Sequence, residues 1–101
     1  MELEFKKEDT KLIVSFNGRL DTTTSIQAEE EITKNLDKED ELIIDFKNLE
    51  YISSAGLRLL LKLQKEFASK KGMTIESPND IVKEIFKVTG FSNILNIKGW
   101  Y

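Results

Sequence analysis

The segment Leu42–Phe46 restricts the fold more than any other part of the chain. It reads Leu-Ile-Ile-Asp-Phe, an almost uninterrupted apolar run of strand length. A strand with one solvent-exposed face alternates apolar and polar residues. A continuous apolar run is instead typical of a strand covered on both faces, as at the centre of a parallel sheet. Parallel strands need long crossover connections, which are usually helices. The run therefore predicts an α/β chain.

Alternating patterns predict two strands ahead of this run. Leu3 and Phe5 alternate with charged residues, and the same alternation recurs over Leu12–Phe16. The connection between them is short and polar, which favours an antiparallel hairpin. Asn17-Gly18 is a turn pair, and we expect it to close the second strand.

Helical patterns follow on both sides of the central run. Ala28, Ile32 and Leu36 recur every four residues and predict a first helix from about Thr23 to Leu36, with Glu29–Glu31 near its start on a solvated face. After a connection at Lys47–Tyr51, the remaining elements are predicted as a helix from Ser53–Gly56 to about Lys70, a strand over Met73–Ser77, a helix from Asn79 to Gly90 and an edge strand over Ile94–Ile97.

The predicted order is β β α β α β α β. It corresponds to an α/β fold with one mixed sheet of four to five strands and helices packed against it. We expect residues 1–101 to form a single domain, because 101 residues are typical of one domain and no linker or repeat divides them.

Composition excludes several classes of function. The chain has no cysteine and no histidine, which removes disulfides, thiol nucleophiles, Cys- or His-ligated metals and Ser-His-Asp catalysis. Asp, Glu, Lys, Ser, Thr and Tyr remain for catalysis, which is a thin set and favours a protein with no catalytic residue, no cofactor and no enzymatic activity. The net charge of −3 disfavours direct binding to nucleic acid. The glycine-containing loops also lack the Lys-Ser/Thr of a phosphate-binding loop.

The N-terminal segment argues against export and membrane insertion. Residues 1–10 alternate in charge where a signal peptide has an apolar core. No apolar run approaches the roughly 18–20 residues that a membrane span requires. The sequence predicts a cytoplasmic protein that does not bind membranes.

The serine pair in Ser53-Ser54-Ala55-Gly56 stands at a predicted helix start. One interpretation is structural, because serine is a preferred N-cap. The other is a modifiable hydroxyl, since a phosphate there would lie among free N–H groups at the positive end of the helix. A nucleophilic role fails, because the segment lacks the G-x-S-x-G spacing of a nucleophile elbow and the chain has no histidine to take the proton.

Three segments together resemble a known family. The segment from Asp45-Phe46 through Tyr51 to Leu61 resembles the characteristic segment of STAS domains, in particular bacterial anti-sigma factor antagonists. Gly18–Thr24 resembles their Gly-x-Leu-Asp segment, and Asp80–Phe91 resembles their C-terminal helix. The resemblance extends over nearly the whole chain in the expected order.

The resemblance implies a switch protein that performs no chemistry itself. Such antagonists bind an anti-sigma factor that is also a serine kinase, are released when it phosphorylates one serine, and are restored by a PP2C-type phosphatase. The matching acceptor is Ser54, with Ser53 as the competing acceptor. Family members often have Asp where this chain has Ser53, Ser or Thr where it has Ala55, and Gly where it has Arg58. The implied partner-binding residues are Asp21, Thr22, Thr23, Ser53, Ser54, Ala55, Gly56 and Arg58.

Other interpretations stay open at this point. The chain could serve as a STAS interaction module of a pathway without a sigma factor, or as a nucleotide-binding STAS domain. Asp21 is equally consistent with a partner surface and a helix cap. We expect Asp45 to bond structurally to the serine loop, and we expect no metal between Asp21 and Asp45. Trp100-Tyr101 could fold back onto the sheet or contact a partner.

Overall fold

The computed structural model describes residues 1–99, so the expectations for Trp100 and Tyr101 lie outside the described residues. The elements in chain order are β1 (Glu2–Glu8), β2 (Lys11–Leu20), α1 (Thr22–Asn35), β3 (Glu41–Ile52), α2 (Ser54–Phe67), β4 (Gly72–Glu76), α3 (Asp80–Thr89), a 3₁₀ turn (Phe91–Asn93) and β5 (Asn96–Lys98). The predicted order of strands and helices is confirmed.

The five strands form one mixed sheet in the order β1-β2-β3-β4-β5. β1 pairs antiparallel with β2, as the short connection predicts, and every later pair is parallel. Each parallel neighbour is reached through a helix, which is the crossover that parallel pairing requires. The predicted α/β fold with a mixed sheet is confirmed.

The two faces of the sheet differ in burial. Ile44 of β3 lies beside Val14 of β2 and Ile75 of β4, and all three are fully buried. One residue further along, Asp45 pairs with Ser15 and Glu76, and these polar residues are only half-buried. The expected covering of both faces of β3 is therefore complete on one face and partial on the other.

Aromatic side chains connect the sheet to α3. The ring of Phe46 meets that of Phe16 edge-on, with centroids 5.3 Å apart, and stacks on Phe86 of α3 at 6.4 Å. All three are buried, and such pairs add roughly 0.5–1.5 kcal/mol beyond their area burial. Phe46 therefore joins β2, β3 and α3 into one core.

The expected ends of β2 and β3 were wrong. β2 does not stop at Asn17-Gly18 but continues to Leu20, and Lys47–Tyr51 is part of β3 rather than a connection. The pairing of the two strands shifts register between Ser15 and Asn17 and again between Gly18 and Arg19. Gly18 has φ +121°, so it accommodates this irregularity within the strand instead of ending it.

The helices also differ in detail from the prediction. α1 begins at Thr22, which places Glu29–Glu31 in its middle, and its first turn contains no acidic residue. α2 ends at Phe67, and Gly72 with φ +97° begins β4 instead of capping α2. Within residues 1–99, no helix has the length and apolar character needed to cross a membrane.

Replacing Phe46 should test the importance of this core. We expect Phe46→Ala to lower the free energy of unfolding by about 3–5 kcal/mol, because it removes the ring between Phe16 and Phe86 and leaves a cavity. Urea unfolding followed by far-UV circular dichroism measures the change. The control Val88→Ala, at a side chain that is 73% exposed, should stay within about 0.5 kcal/mol of wild type. A cost for Phe46→Ala as small as that of the control would contradict this account of the core.

Candidate functional site: two helix starts beyond β2 and β3

Two helices begin side by side at one edge of the sheet. Leu20 and Ile52, the last residues of β2 and β3, are register partners, and the Ser53 N–H donates to the Leu20 carbonyl at 2.9 Å. The chain then enters α1 at Thr22 and α2 at Ser54. The carboxyl edge of parallel strands is where open α/β sheets place functional groups. The parallel pairing thus brings together the predicted segments around Asp21 and Ser54.

Asp21 caps α1. The Thr24 N–H donates to Asp21 Oδ1 at 2.9 Å, and the Asp21 N–H donates to Thr24 Oγ1 at 2.8 Å. These reciprocal bonds form a capping box, which confirms the helix-cap interpretation of Asp21. The Thr24 N–H and hydroxyl also hold the pKa of Asp21 below its usual value. Thr22 and Thr23 occupy the first two helical positions and are exposed.

The two serines at the start of α2 lie in different environments. Ser53 is the N-cap, is half-buried, and accepts a hydrogen bond through Oγ from the Gly56 N–H at 3.4 Å. Ser54 is the first helical residue and its side chain is exposed. The structural interpretation of the serine pair is therefore confirmed for Ser53, whereas the hydroxyl of Ser54 faces solvent.

Gly56 allows α2 to start against the end of the sheet. A Cβ at this position would lie 2.6 Å from Ile52 Cγ1 and 3.0 Å from Leu20 Cδ2. Both of these side chains are buried, so neither can move away easily. The absence of a side chain at residue 56 is therefore what lets the serine-bearing turn approach the ends of β2 and β3 closely.

A groove of about 330 Å³ runs between α1 and α2. Its lining consists of Thr22, Ser25, Ile26, Glu29, Ala55, Arg58, Leu59 and Lys62. Lys62 and Glu29 form an ion pair across it. Of these residues, the sequence identified Thr22, Ala55 and Arg58 as site residues. Ile26 went unnoticed, although its position outside the Ala28–Ile32 stripe signals an apolar side chain that the core does not use.

Arg58 is a cation with a free side chain. It lies on the exposed face of α2, four residues after Ser54, and makes no ion pair with the part of the chain that the structure describes. Residues four apart share a helix face, so Arg58 follows Ser54 along the same surface.

Asp45 does not belong to this site. Its Oδ2 accepts from the Ser15 hydroxyl at 3.4 Å and its Oδ1 from the Lys47 N–H at 2.9 Å, which corrects the expected bond to the serine loop. The physical reason is the unexpected length of β3, since Asp45 precedes the strand end at Ile52 by seven residues, roughly 20 Å. Among residues 1–99, no cluster of three or more metal-ligating side chains occurs.

Comparison with known proteins identifies the family. The family model of the STAS domain matches residues 2–99. The chain belongs to the STAS domain family. The resemblance of the three sequence segments is thereby confirmed.

Individual STAS relatives share both sequence and fold with the chain. BtrV of Bordetella bronchiseptica, provisionally named an anti-sigma factor antagonist, is 32% identical over 99 residues, which cover 96% of this chain and 85% of BtrV. The crystal structure of an anti-sigma factor antagonist from Mycobacterium paratuberculosis superimposes with a TM-score of 0.87 at 20% identity, covering 98% of this chain and 86% of that one. SpoIIAA of Bacillus in its phosphorylated form gives a TM-score of 0.72 at 17% identity, covering 95% and 90%. The two solved structures share the fold.

Adding a methyl group at Gly56 should test the close approach of α2. Overpacking against Ile52 and Leu20 should cost about 1–3 kcal/mol before any gain in helix propensity, so we expect Gly56→Ala to lower the net free energy of unfolding by up to about 2 kcal/mol. The helix propensity of alanine, about 1 kcal/mol better than glycine, acts in the opposite direction. Urea unfolding of both proteins measures the change, with the exposed Ser54→Ala as control. Stabilisation by Gly56→Ala would show that the turn has more room than the geometry indicates.

The Asp21 cap should make stability depend on pH. The pKa of Asp21 is lowered in the folded state, so its contribution is fully present above the unfolded-state pKa of about 3.9 and is lost as pH falls through the folded value. Asp21→Asn keeps a capping side chain but does not titrate. The stability advantage of wild type over this variant, measured by urea unfolding between pH 2 and 7, should therefore shrink below about pH 4. A difference that is constant across this range would contradict the assignment.

Proposed function

We propose that this STAS domain is an anti-sigma factor antagonist switched by phosphorylation of Ser54. In its unphosphorylated form it binds an anti-sigma factor serine kinase and so releases the sigma factor for transcription. Phosphorylation of Ser54 ends this binding, and a PP2C-type phosphatase restores it. The observation that carries the proposal is the exposed Ser54 hydroxyl in the first turn of α2. Relatives named as anti-sigma factor antagonists support it.

The local hydrogen bonding favours Ser54 over Ser53 as the acceptor. Ser53 Oγ is half-buried and caps α2 through the Gly56 N–H, so a phosphate on it would disrupt the start of the helix. The side chain of Ser54 does not cap the helix, and it is exposed and so accessible to a kinase. The fold can therefore accept a phosphate on Ser54 while the helix start stays intact.

The electrostatics of this turn explain how one phosphate could switch binding. A phosphoserine adds about −1.5 to −2 charges at neutral pH. At Ser54 this charge lies at the positive end of α2, which stabilises it, and Arg58 is on the same helix face. The whole chain carries only −3, so the local change is large. A partner surface that fits the neutral serine would face a concentrated negative charge after phosphorylation. Where acidic groups of the partner face that phosphate, the repulsion costs several kcal/mol.

The surface around Ser54 supplies the remaining partner contacts in this proposal. Asp21, Thr22 and Thr23 lie at the neighbouring helix start, because β2 and β3 end together. Along α2 the surface continues through Ala55 to Arg58 and into the groove with α1. Gly56 contributes by having no side chain, which lets the serine-bearing turn lie close to the sheet. The domain acts by binding in the cytoplasm, and the kinase supplies the chemistry.

Phosphorylation of serine variants tests the proposal directly. The protein is incubated with ATP and a purified anti-sigma factor serine kinase from the same genome, and the products are mapped by mass spectrometry. We expect wild type and Ser53→Ala to be phosphorylated, and Ser54→Ala to lose the modification. Ser54→Ala should still bind the kinase, and Ser54→Asp should bind it at least tenfold more weakly, because it places a negative charge in the interface.

The outcomes separate the site from the pathway. Phosphorylation of Ser54→Ala as strongly as wild type would overturn the assignment of Ser54. A kinase that neither modifies nor binds the wild-type protein, together with a pull-down free of any sigma-linked kinase, would overturn the sigma-factor pathway and favour a different partner-switching circuit.

A further inference from the structure

Helix α3 carries an apolar stripe on its outer face. Ile81, Ile85 and Val88 recur at positions i, i+4 and i+7, so they line up along one side of the helix. Ile81 is 58% exposed, Val88 is 73% exposed and Ile85 is half-buried. A single exposed apolar residue is ordinary, but apolar residues aligned along one helix face form a candidate interaction surface.

The two ends of the stripe, Ile81 and Val88, lie away from the face that α3 uses for folding, whereas Ile85 between them also packs partly against the core. Val82 and Phe86 are fully buried and attach the helix to β3, where Phe86 stacks on Phe46. Successive residues are about 100° apart around a helix, so Ile81 and Val88 point at least about 100° away from these two side chains, whereas Ile85 lies about 60° from Val82. Packing within the described residues therefore leaves Ile81 and Val88 uncovered.

An antiparallel copy of α3 fits this stripe. A two-fold axis midway between Ile81 and Val88 brings Ile81 of one copy opposite Val88 of the other. The two Ile85 side chains then meet near the axis. All three apolar residues of each helix are buried by the same three of the second copy. Such self-complementarity is what a two-fold interface requires.

The charges beside the stripe fit the same arrangement. Asp80, Glu84 and Lys87 are exposed and lie on one side of the stripe. A two-fold axis brings this side of both helices together and sets Lys87 of one copy level with the interval between Asp80 and Glu84 of the other. None of the three forms an ion pair within residues 1–99. Each copy therefore offers one cation between two carboxylates of the other, twice per pair.

We propose that α3 mediates a two-fold symmetric homodimer through Ile81, Ile85 and Val88, with Lys87 between Asp80 and Glu84 of the second copy. The dimer is weak, because one ten-residue helix on each side lies at the small end of protein interfaces. The interface involves neither Ser54 nor the groove between α1 and α2. It is therefore independent of the function proposed above.

Cysteine cross-linking tests the register, because the natural chain contains no cysteine. Ile81→Cys and Val88→Cys are prepared separately, one of them with a tag that changes its mass, and are oxidised alone and mixed. We expect the mixture to give at least fivefold more cross-linked heterodimer than either variant gives homodimer. In the antiparallel pair residues 81 and 88 of different copies face each other. Identical positions are roughly 10 Å apart along the axis, too far for a disulfide.

Sedimentation velocity tests the association without any cysteine. Wild type should shift towards twice its mass of 11.6 kDa as its concentration rises to roughly 1 mM. Val88→Glu should raise the dissociation constant at least tenfold, whereas the matched control Ile26→Glu, at a side chain 59% exposed on α1, should leave it unchanged. Lys87→Glu should also weaken association, and Glu84→Lys combined with Lys87→Glu should recover part of it.

Three results would overturn the proposed antiparallel α3 dimer. Wild type that stays monomeric at all these concentrations would show that another partner, or none, covers the stripe. Equal disruption by Ile26→Glu and Val88→Glu would move the interface off α3. Cross-linking that is as efficient for each cysteine variant alone as for the mixture would exclude the antiparallel register.

Discussion

The parallel pairing of β2 with β3 is the interaction on which the rest of the structure depends. It holds ten residues of one strand against twelve of the other and ends with Leu20 beside Ile52. The two register shifts, at Ser15/Asn17 and Gly18/Arg19, let strands of different length end together. Without this coincidence, the caps of α1 and α2 would lie at different heights on the sheet. The position of the site is therefore determined first by the register of β2 and β3 and only then by individual side chains.

Rigidity at the start of α2 follows from the same constraint. Gly56 packs against Ile52 and Leu20, Ser53 caps the helix, and its N–H is bonded to the end of β2. Each of these contacts fixes the backbone around Ser54 without using the Ser54 hydroxyl. A modification of that hydroxyl would then change the surface while leaving the packing beneath it in place. This division between a fixed backbone and a free side chain is what a phosphorylation switch needs, since the signal is local charge rather than unfolding.

The sequence predicts those parts of the fold that depend on local pattern. The run Leu42–Phe46, the serine pair and the Asn79 and Gly90 helix ends each carry a short-range signal, and the structure places a strand, a helix start and two caps there. The length of β3 has no such signal, because Lys47, Asn48 and Glu50 are exposed and read as a loop, although β3 continues through them and Asn48 pairs with Asn17. Asp45 was misplaced for this reason. The Asp21–Thr24 capping box has the same three-residue spacing as the familiar Ser/Thr-x-x-Glu signal. Here, however, the acidic residue is the N-cap and the threonine is at N3.

Tertiary packing decides what local pattern cannot. α3 shows this most clearly, because Ile81, Val82, Ile85, Phe86 and Val88 are all apolar and the sequence does not say which of them face the core. Phe46 supplies the answer by stacking on Phe86, which fixes the rotation of the helix and leaves Ile81 and Val88 in solvent. The apolar stripe is thus set by the packing of Val82 and Phe86 against the core, as the position of the serine site is set by the register of β2 and β3. The two surfaces also differ in character, since one would respond to a local charge and the other depends mainly on apolar burial. A phosphate on Ser54 would then change the charge at the start of α2, whereas the proposed pairing of α3 uses none of the residues there.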